Sequence, residues 1–144
     1  PRVADSVAIR VRREVAAIAY LTMTKYMPVD TGLLRGNTQI TVNAPAKRVL
    51  DRLATGTAGT ASPTDAAYLE EELLKFGRGL DPYANVHVGS SVEYGSHVND
   101  GTDRFAGYHF VEITQDRLAT IRLTESDLGF APGRDIASQI GETG

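Results

Sequence analysis

The sequence predicts an α+β domain, in which a long N-terminal helix packs on a small, mostly antiparallel sheet and a second helix is inserted. Apolar residues recur at three- and four-residue spacing through the first 27 residues. Two later segments alternate between apolar and polar side chains, and a second helical stripe starts after Ser62. Because no repeat or linker divides the chain, we expect one domain over residues 1–128, followed by an extended or flexible tail over 129–144.

Composition limits the classes of function. The chain has 144 residues, 42% hydrophobic and 23% charged, which suits a single globular domain. A formal net charge of −3 and a pI near 5.6 give no sign of a general nucleic-acid-binding surface, which is normally basic. The absence of cysteine excludes disulfides, thiolate nucleophiles and cysteine-ligated metals. No apolar run is long enough to span a bilayer or serve as a signal peptide, so we expect a cytosolic product.

The predicted first helix has two apolar faces. One face runs from Val3 to Ile18 at helical spacing, and in the second half of the helix the opposite face becomes apolar as well. A helix with two apolar faces must bury both. One face packs on the sheet, and the other is either ordinary core or a contact with another subunit. The residues of that second face, the candidate subunit interface, are Ala16, Tyr20, Met23 and Met27.

Pro28 disfavours helical backbone at the residue before it, so the helix is expected to end near Met27. Residues 33–42 are rich in Thr, Ile and Val and predict a strand. Residues 44–53 (APAKRVLDRL) predict a short helix. Residues 55–61 (TGTAGTA) have too little apolar side chain to order themselves and predict a mobile loop.

A second helix is predicted to start at Ser62, which is suited to the N-cap. Pro63 then takes the first helical position, and Asp65 stands three residues after the cap. Gly77 is placed to end this helix.

The remaining elements are shorter. Residues 84–89 (ANVHVG) predict a strand with Val86 and Val88 on one face. Glycines then break the chain into turns or a very short helix. Residues 108–114 (YHFVEIT) predict another strand, and residues 118–123 fit a strand or a helix equally well.

The stretch 27–36, MPVDTGLLRG, contains the Asp-Thr-Gly tripeptide of aspartic protease loops. That chemistry needs two carboxylates that share a proton, so a single copy requires a dimer. Here the tripeptide follows a helix rather than a strand, and Leu33 replaces the small residue that lets paired loops approach. We interpret Asp30 and Thr31 as a side-chain-capped turn, with Gly32 supplying a permissive dihedral angle. A dimeric hydrolase acting through Asp30 is the competing hypothesis.

No other segment predicts catalysis, a cofactor or a bound metal. The three histidines are too widely spaced for a local metal motif, although Asp100 and Asp103 near His97 can add oxygen ligands. We interpret these side chains as solvated. The basic residues of the first helix favour a solvated or interfacial face over a DNA contact. The residues concerned are His87, His97, His109, Arg10, Arg12 and Arg13.

A long helix followed by Pro-Val-Asp-Thr-Gly and Leu-Arg resembles the opening signature of a family of tailed-phage proteins. A second stretch, 92–110 (VEYGSHVNDGTDRFAGYHF), follows the order of that family's second motif. The chain departs from the family at Gly95, Asn99 and His109, where Ala, Glu and Pro are common, and residues 44–81 look like an insertion. The matching residues that we take as the motif are Pro28, Asp30, Thr31, Gly32, Leu34, Arg35, Tyr94, Gly101, Thr102 and Phe110.

The resemblance implies a virion structural protein that joins head and tail, known as a tail-completion or neck protein. Six or twelve copies would form a ring between portal or adaptor proteins on the head side and tail-tube or terminator proteins on the tail side. DNA would pass through the ring without sequence-specific binding, and neither a membrane, a cofactor nor catalysis is implied. Assembly would take place in the host cytoplasm. A minor tail component at another level of the tail is the alternative.

Overall fold

The structure is a computed structural model that describes residues 3–29, 32–75, 81–92, 95–102 and 105–123. It has the predicted α+β class. The tail over 129–144 and Gly77 lie outside the described residues. The elements are α1 (Val3–Tyr26), α2 (Leu33–Gly36), β1 (Thr38–Val42), α3 (Pro63–Leu74), β2 (Val86–Ser90), α4 (Gly95–Asp100), β3 (Gly101–Thr102), β4 (Phe105–Ala106) and α5 (Phe110–Ala119).

The main sheet is an antiparallel pair in which Thr38 of β1 lies opposite Ser90 of β2 and Val42 opposite Val86. β3 and β4 form a second, very short antiparallel pair. Val86 and Val88 share one face, as predicted, and pack towards the first core cluster. That cluster joins α1, β1 and α3 through Ala16, Tyr20, Ile40 and Leu69. The long helix therefore packs on the sheet, as the sequence predicted.

A second core cluster holds the C-terminal end of α1 against α2 and α5. It contains Met23 of α1, Met27 just after α1, Leu34 of α2, Val92, and Phe110 at the start of α5. The two clusters together bury the face of α1 that was the candidate subunit interface. Tyr20 and Met27 have no exposed surface, and Ala16 and Met23 are 3% and 6% exposed. Of the two alternatives for these four side chains, ordinary core or a subunit contact, the structure shows ordinary core, because β1, α2, α3 and α5 of the same chain cover them.

The opposite face of α1 is less completely covered. Val7, Val11, Val15 and Ile18, which the sequence assigned to the core, are all only half-buried. The sequence thus identified both apolar faces of α1. It did not predict which of them the fold would cover more fully.

Both helix boundaries with local signals are confirmed. α1 ends at Tyr26, two residues before Pro28. α3 starts at Pro63 with Ser62 as its N-cap, and the two predicted cap residues bond reciprocally: the Ser62 hydroxyl accepts from the amide of Thr64, and the Asp65 carboxylate accepts from the amide of Ser62. Such a cap satisfies backbone donors that the first helical turn leaves without partners.

Two predictions between α1 and α3 are wrong. Residues 33–36 form the helical turn α2 rather than the start of the strand, so β1 begins at Thr38. Residues 44–53 have no regular secondary structure. Residues 55–61 form the predicted loop, and the amide of Gly59 donates to the carbonyl of Lys25 at 2.7 Å. The mobility of this loop stays a prediction. Backbone hydrogen bonds hold this loop where apolar side chains are lacking.

The strand predicted over 108–114 is also wrong, because Phe110 starts α5. His109 precedes the helix with a φ of 53° and makes no side-chain cap. Instead, Asn99 of α4 supplies the cap from a distance, since its Oδ1 accepts from the amide of Val111 at 2.9 Å. The helical alternative for Leu118 is confirmed, and α5 ends one residue later at Ala119.

Candidate functional site

The first motif forms the junction between α1 and β1. Pro28, Gly32, Leu34 and Arg35 are described there, whereas Asp30 and Thr31 lie outside the described residues. The side-chain-capped turn at those two residues therefore stays a prediction. The described part of the junction packs closely against residues 48–60, which we call the anchored segment.

Two glycines of the junction permit this close packing. Gly32 has a φ of 82°, in the left-handed region that suits glycine. A Cβ on Gly32 would also overlap the backbone of Ala54, whose amide donates to the Gly32 carbonyl at 3.0 Å. Gly36 has no room for a Cβ either, because the carbonyl of Arg52 lies against it. Both glycines are therefore needed for contact with the anchored segment.

Arg35 is the central side chain of the junction and has no exposed surface. Its Nε and Nη2 donate to Oδ1 and Oδ2 of Asp65 at 3.0 and 2.7 Å, a bidentate ion pair between two buried side chains. The same guanidinium donates to the carbonyls of Thr60 at 2.7 Å and Thr57 at 3.3 Å. Arg35 thus joins α2 to α3 and to the anchored segment.

Asn37, which directly precedes β1, and Gln39 of β1 continue this contact. Asn37 Nδ2 donates to the carbonyl of Leu50 at 3.0 Å, and Asn37 Oδ1 accepts from the amide of the same residue. Gln39 Nε2 donates to the carbonyl of Arg48 at 2.8 Å. Arg35, Asn37 and Gln39 are all buried, so side chains at alternate positions hold the anchored segment by its backbone. The alternation of polar residues at 35, 37 and 39 is a sequence signal that we did not interpret.

Glu72 of α3 is a further buried polar side chain that contacts both β1 and the anchored segment. It is fully buried and accepts hydrogen bonds from the Ile40 amide at 2.9 Å, Arg52 Nη1 at 3.0 Å and Lys75 Nζ at 2.8 Å. Burial raises the pKa of this carboxyl, but the hydrogen bonds from Lys75, Ile40 and Arg52 together outweigh it, and the net pKa is lowered. Glu72 is therefore held as a carboxylate and ties α3 to β1 and the anchored segment.

Tyr20 lies in the core and carries a polar hydroxyl group. Its hydroxyl is buried and has no hydrogen bond to a described residue. Burial, the largest cause, raises the pKa of Tyr20 well above its ordinary value. The phenol therefore stays neutral in the folded protein through the physiological pH range.

The second motif is built around α4 and the start of α5. Phe110 shares a core cluster with Leu34, so the structure brings the two motifs into contact. Gly101 has a φ of 89°, and Thr102 pairs with Phe105 in the short β3–β4 ladder. Tyr94 lies outside the described residues. The motif residues that are described therefore support the fold around α1.

Asn99, which the sequence marked only as a departure from the family, has a central role there. Its carbonyl accepts from the amide of His109 at 2.9 Å, and its Nδ2 donates to both carboxylate oxygens of Glu112 at 3.1 Å. Gly107 has no room for a Cβ, since the backbone of Asn99 and Asp100 lies against it. Asn99 thus fixes the turn that leads into α5.

The titratable side chains do not form a metal centre in the described residues. In that part of the chain, no group of three or more His, Asp or Glu side chains is arranged to hold a metal ion. His87 lies on β2, His97 on α4 and His109 before α5. The carboxylate of Asp100 accepts from Asn99 at 2.9 Å, and Asp103 lies outside the described residues.

Arg12 of the basic cluster on α1 is used within the fold. Its Nε donates to the carbonyl of Ala84 at 2.9 Å, and its guanidinium lies 5.8 Å from the ring centre of Tyr83. Arg12 thus fixes the chain that leads into β2. The sequence did not predict this structural role of Arg12.

An apolar groove lies between α1, β2 and α5. We call it the α1–α5 groove, and its volume is about 510 Å³. Asn85, Arg12 and Gln115 contribute polar atoms to its lining. The apolar side chains that line it include Val11, Val15, Val86, Val88, Val111 and Leu118. The less covered face of α1 therefore forms one wall of an open apolar site.

Comparison of the chain with family models, with curated proteins and with solved structures finds no match. Among the described residues, no helix combines the length and the apolar character needed to cross a membrane.

Proposed function

We propose that this chain is a structural protein of the virion of a tailed double-stranded-DNA phage, where it joins head and tail as a tail-completion or neck protein. Six or twelve copies form a ring that continues the DNA channel. Portal or adaptor proteins bind on the head side, and tail-tube or terminator proteins bind on the tail side.

The observation that carries this proposal is that Arg35, a residue of the motif that resembles the phage family, has a structural role. Arg35 is completely buried, and its donors are directed to Asp65 and to the carbonyls of Thr57 and Thr60. A group committed in this way holds the fold together and is not available to a substrate. Such a role suits a protein that works by assembly.

The surroundings of Gly32 argue against the protease alternative. An aspartic protease needs a second carboxylate close enough to share a proton with the first. The backbone of Ala54 lies directly against Gly32, so the chain's own anchored segment occupies one side of Gly32. A second copy of the loop cannot approach from that side.

The experiment that tests the proposal combines native mass measurement of the purified chain with imaging of phage particles. We expect a closed ring of six or twelve copies in solution and a location at the neck. Removal of the gene from a producing phage should leave filled heads and complete tails that do not join.

Other outcomes distinguish the alternatives. Labelling along the tail with normal head–tail joining would indicate a minor tail component. A stable protein that cleaves peptides at acid pH, with cleavage abolished by Asp30→Asn, would refute the structural role. Asp30→Asn is the suitable variant because it removes the charge and keeps the size of the side chain.

A further inference from the structure

The two strands of the main sheet differ at their outer edges. The amide of Asn43 donates to the carbonyl of Asn85. In an antiparallel ladder hydrogen-bonded pairs alternate with pairs that are not hydrogen-bonded, so the pairs Thr41–His87 and Gln39–Gly89 also bond to each other across the strands. The intervening pairs, Ile40 with Val88 and Val42 with Val86, direct their backbone groups outward. On β1 two outward groups have partners, since the Ile40 amide donates to Glu72 and the Thr38 carbonyl accepts from Arg52 at 2.9 Å.

The outer edge of β2 has no such cover in the described part of the chain. No described residue bonds to the outward amides or carbonyls of Val86 and Val88. Unpaired strand edges are ready acceptors for another extended chain. β2 is therefore positioned to take a third strand.

The α1–α5 groove lies beside this open edge. Val86 and Val88 line it together with Val11 and Val15 of α1 and Leu118 of α5. A strand added to β2 would direct alternate side chains to the face that carries Val86 and Val88. The site thus selects an extended segment with two apolar residues separated by one residue.

The chain contains such a segment outside the described structure. Residues 127–131 read Asp-Leu-Gly-Phe-Ala, so Leu128 and Phe130 would lie on the same face of an extended strand. Pro132 follows and would end the pairing. The segment comes after α5, whose Leu118 already lines the groove, and it starts four residues beyond Leu123, the last residue described.

We propose that residues 127–131 of a second copy add to β2 as a third strand and insert Leu128 and Phe130 into the α1–α5 groove. This inference rests on the proposed ring. An edge strand and a donor segment are different surfaces of one chain, so the contact between copies is heterologous, and heterologous contacts can close into rings.

Amide hydrogen exchange tests the added strand directly. We expect the amides of Val86 and Val88 to exchange rapidly in an isolated subunit and slowly in the assembled ring. The amides of His87 and Gly89 pair with β1 in both states and are the internal controls. Rapid exchange of Val86 and Val88 in an intact ring would overturn the proposal.

Mixing of two variants tests the identity of the donor. Val11→Lys blocks the groove, and Phe130→Asp blocks the donor segment. We expect each variant alone to be monomeric, and an equimolar mixture to form dimers, because one intact groove and one intact donor remain in each pair. The matched controls are Val49→Lys, at a valine that is 54% exposed and does not line the groove, and Ile136→Asp outside the donor segment.

The outcomes separate the inference from the proposed function. If the wild type forms a ring and both blocking variants form it too, the proposed contact is wrong but the proposed ring stands. A monomeric wild-type chain would refute both. Protection of Val86 and Val88 in a monomer, lost in Phe130→Asp, would show that the chain's own segment fills the edge and would overturn the assignment to a second copy. If Val11→Lys fails to fold by circular dichroism, Leu118→Lys replaces it as the groove variant.

Discussion

The buried ion pair of Arg35 and Asp65 provides the sharpest test of how the junction is held. Asp65→Ala leaves the guanidinium of Arg35 buried without its counter-charge. Removal of one partner from a buried pair costs about 3–5 kcal/mol. The same substitution removes the acceptor for the Ser62 amide, and loss of a helix cap adds about 0.5–2 kcal/mol. Because a domain of this kind has a free energy of unfolding of about 5–15 kcal/mol, we expect severe destabilisation.

A double-mutant cycle isolates the ion pair from the other effects. Arg35→Met also removes the bonds to the carbonyls of Thr57 and Thr60, but these residues are exposed and water can replace those bonds. In the double variant no charge is left unpaired, so its cost should be smaller than the sum of the two single costs. We expect a coupling free energy at the upper end of the range for contacting residues, about 2–3 kcal/mol.

Urea unfolding followed by circular dichroism at neutral pH measures all four proteins of the cycle. The free energy of unfolding and the slope with urea are fitted together, so that a change in the unfolded state is detected. Additive costs, within about 0.5 kcal/mol, would refute the reasoning that the two charges depend on each other. Leu21→Ala, at a residue that is 40% exposed on α1, is a control that should cost little.

Three further predictions concern Glu72, Tyr20 and Gly36. The fold lowers the pKa of Glu72, so its contribution to stability is present above the unfolded value of 4.5 and is lost as the pH falls below it. Glu72→Gln should therefore flatten the acid side of a stability–pH curve, and an unchanged acid side would contradict this. The fold raises the pKa of Tyr20, so above pH 10 the unfolded chain loses a proton that the folded chain retains. Between pH 10 and 11 this linkage should lower the stability of the wild type by about 1 kcal/mol, and it should be absent in Tyr20→Phe, as thermal melts at the two pH values would measure. Gly36→Ala should lower the melting temperature by several degrees because its Cβ overlaps the Arg52 carbonyl, whereas Gly89→Ala, where nothing lies nearby, should change it less. Equal effects of the two glycine substitutions would contradict the close packing at Gly36.

The sequence predicted those parts of the fold whose signals are local. α3 was placed correctly because Ser62, Pro63 and Asp65 are the cap itself and lie within four positions of one another. The end of α1 was placed correctly because Pro28 acts on the residue next to it.

The errors arose where distant residues decide local structure. α5 was read as a strand because its cap comes from Asn99, twelve positions before the amide that it accepts. The chain at 33–36 was read as a strand because the packing that favours a turn there comes from Arg52 and Ala54. Periodicity cannot detect contacts of this kind.

The sequence marked some residues of the candidate site but did not predict what they contact. The motif marked Gly32, Leu34 and Arg35, yet nothing local indicates that Arg35 is buried, because arginine is normally exposed. Its partner Asp65 lies thirty positions away and had already been explained as part of a helix cap. Because the helix cap already explained Asp65, nothing in the sequence indicated its ion pair with Arg35.

The way in which Arg35, Asn37 and Gln39 hold the anchored segment has a consequence for variation. These side chains contact its backbone carbonyl and amide groups and leave its side chains outside the contact. Several of those side chains, including Arg48, Val49 and Leu53, point to solvent. The fold thus fixes the path of this segment while leaving much of its outer surface free of structural constraint. New side chains can be introduced there to fit a different neighbour without rebuilding the domain beneath.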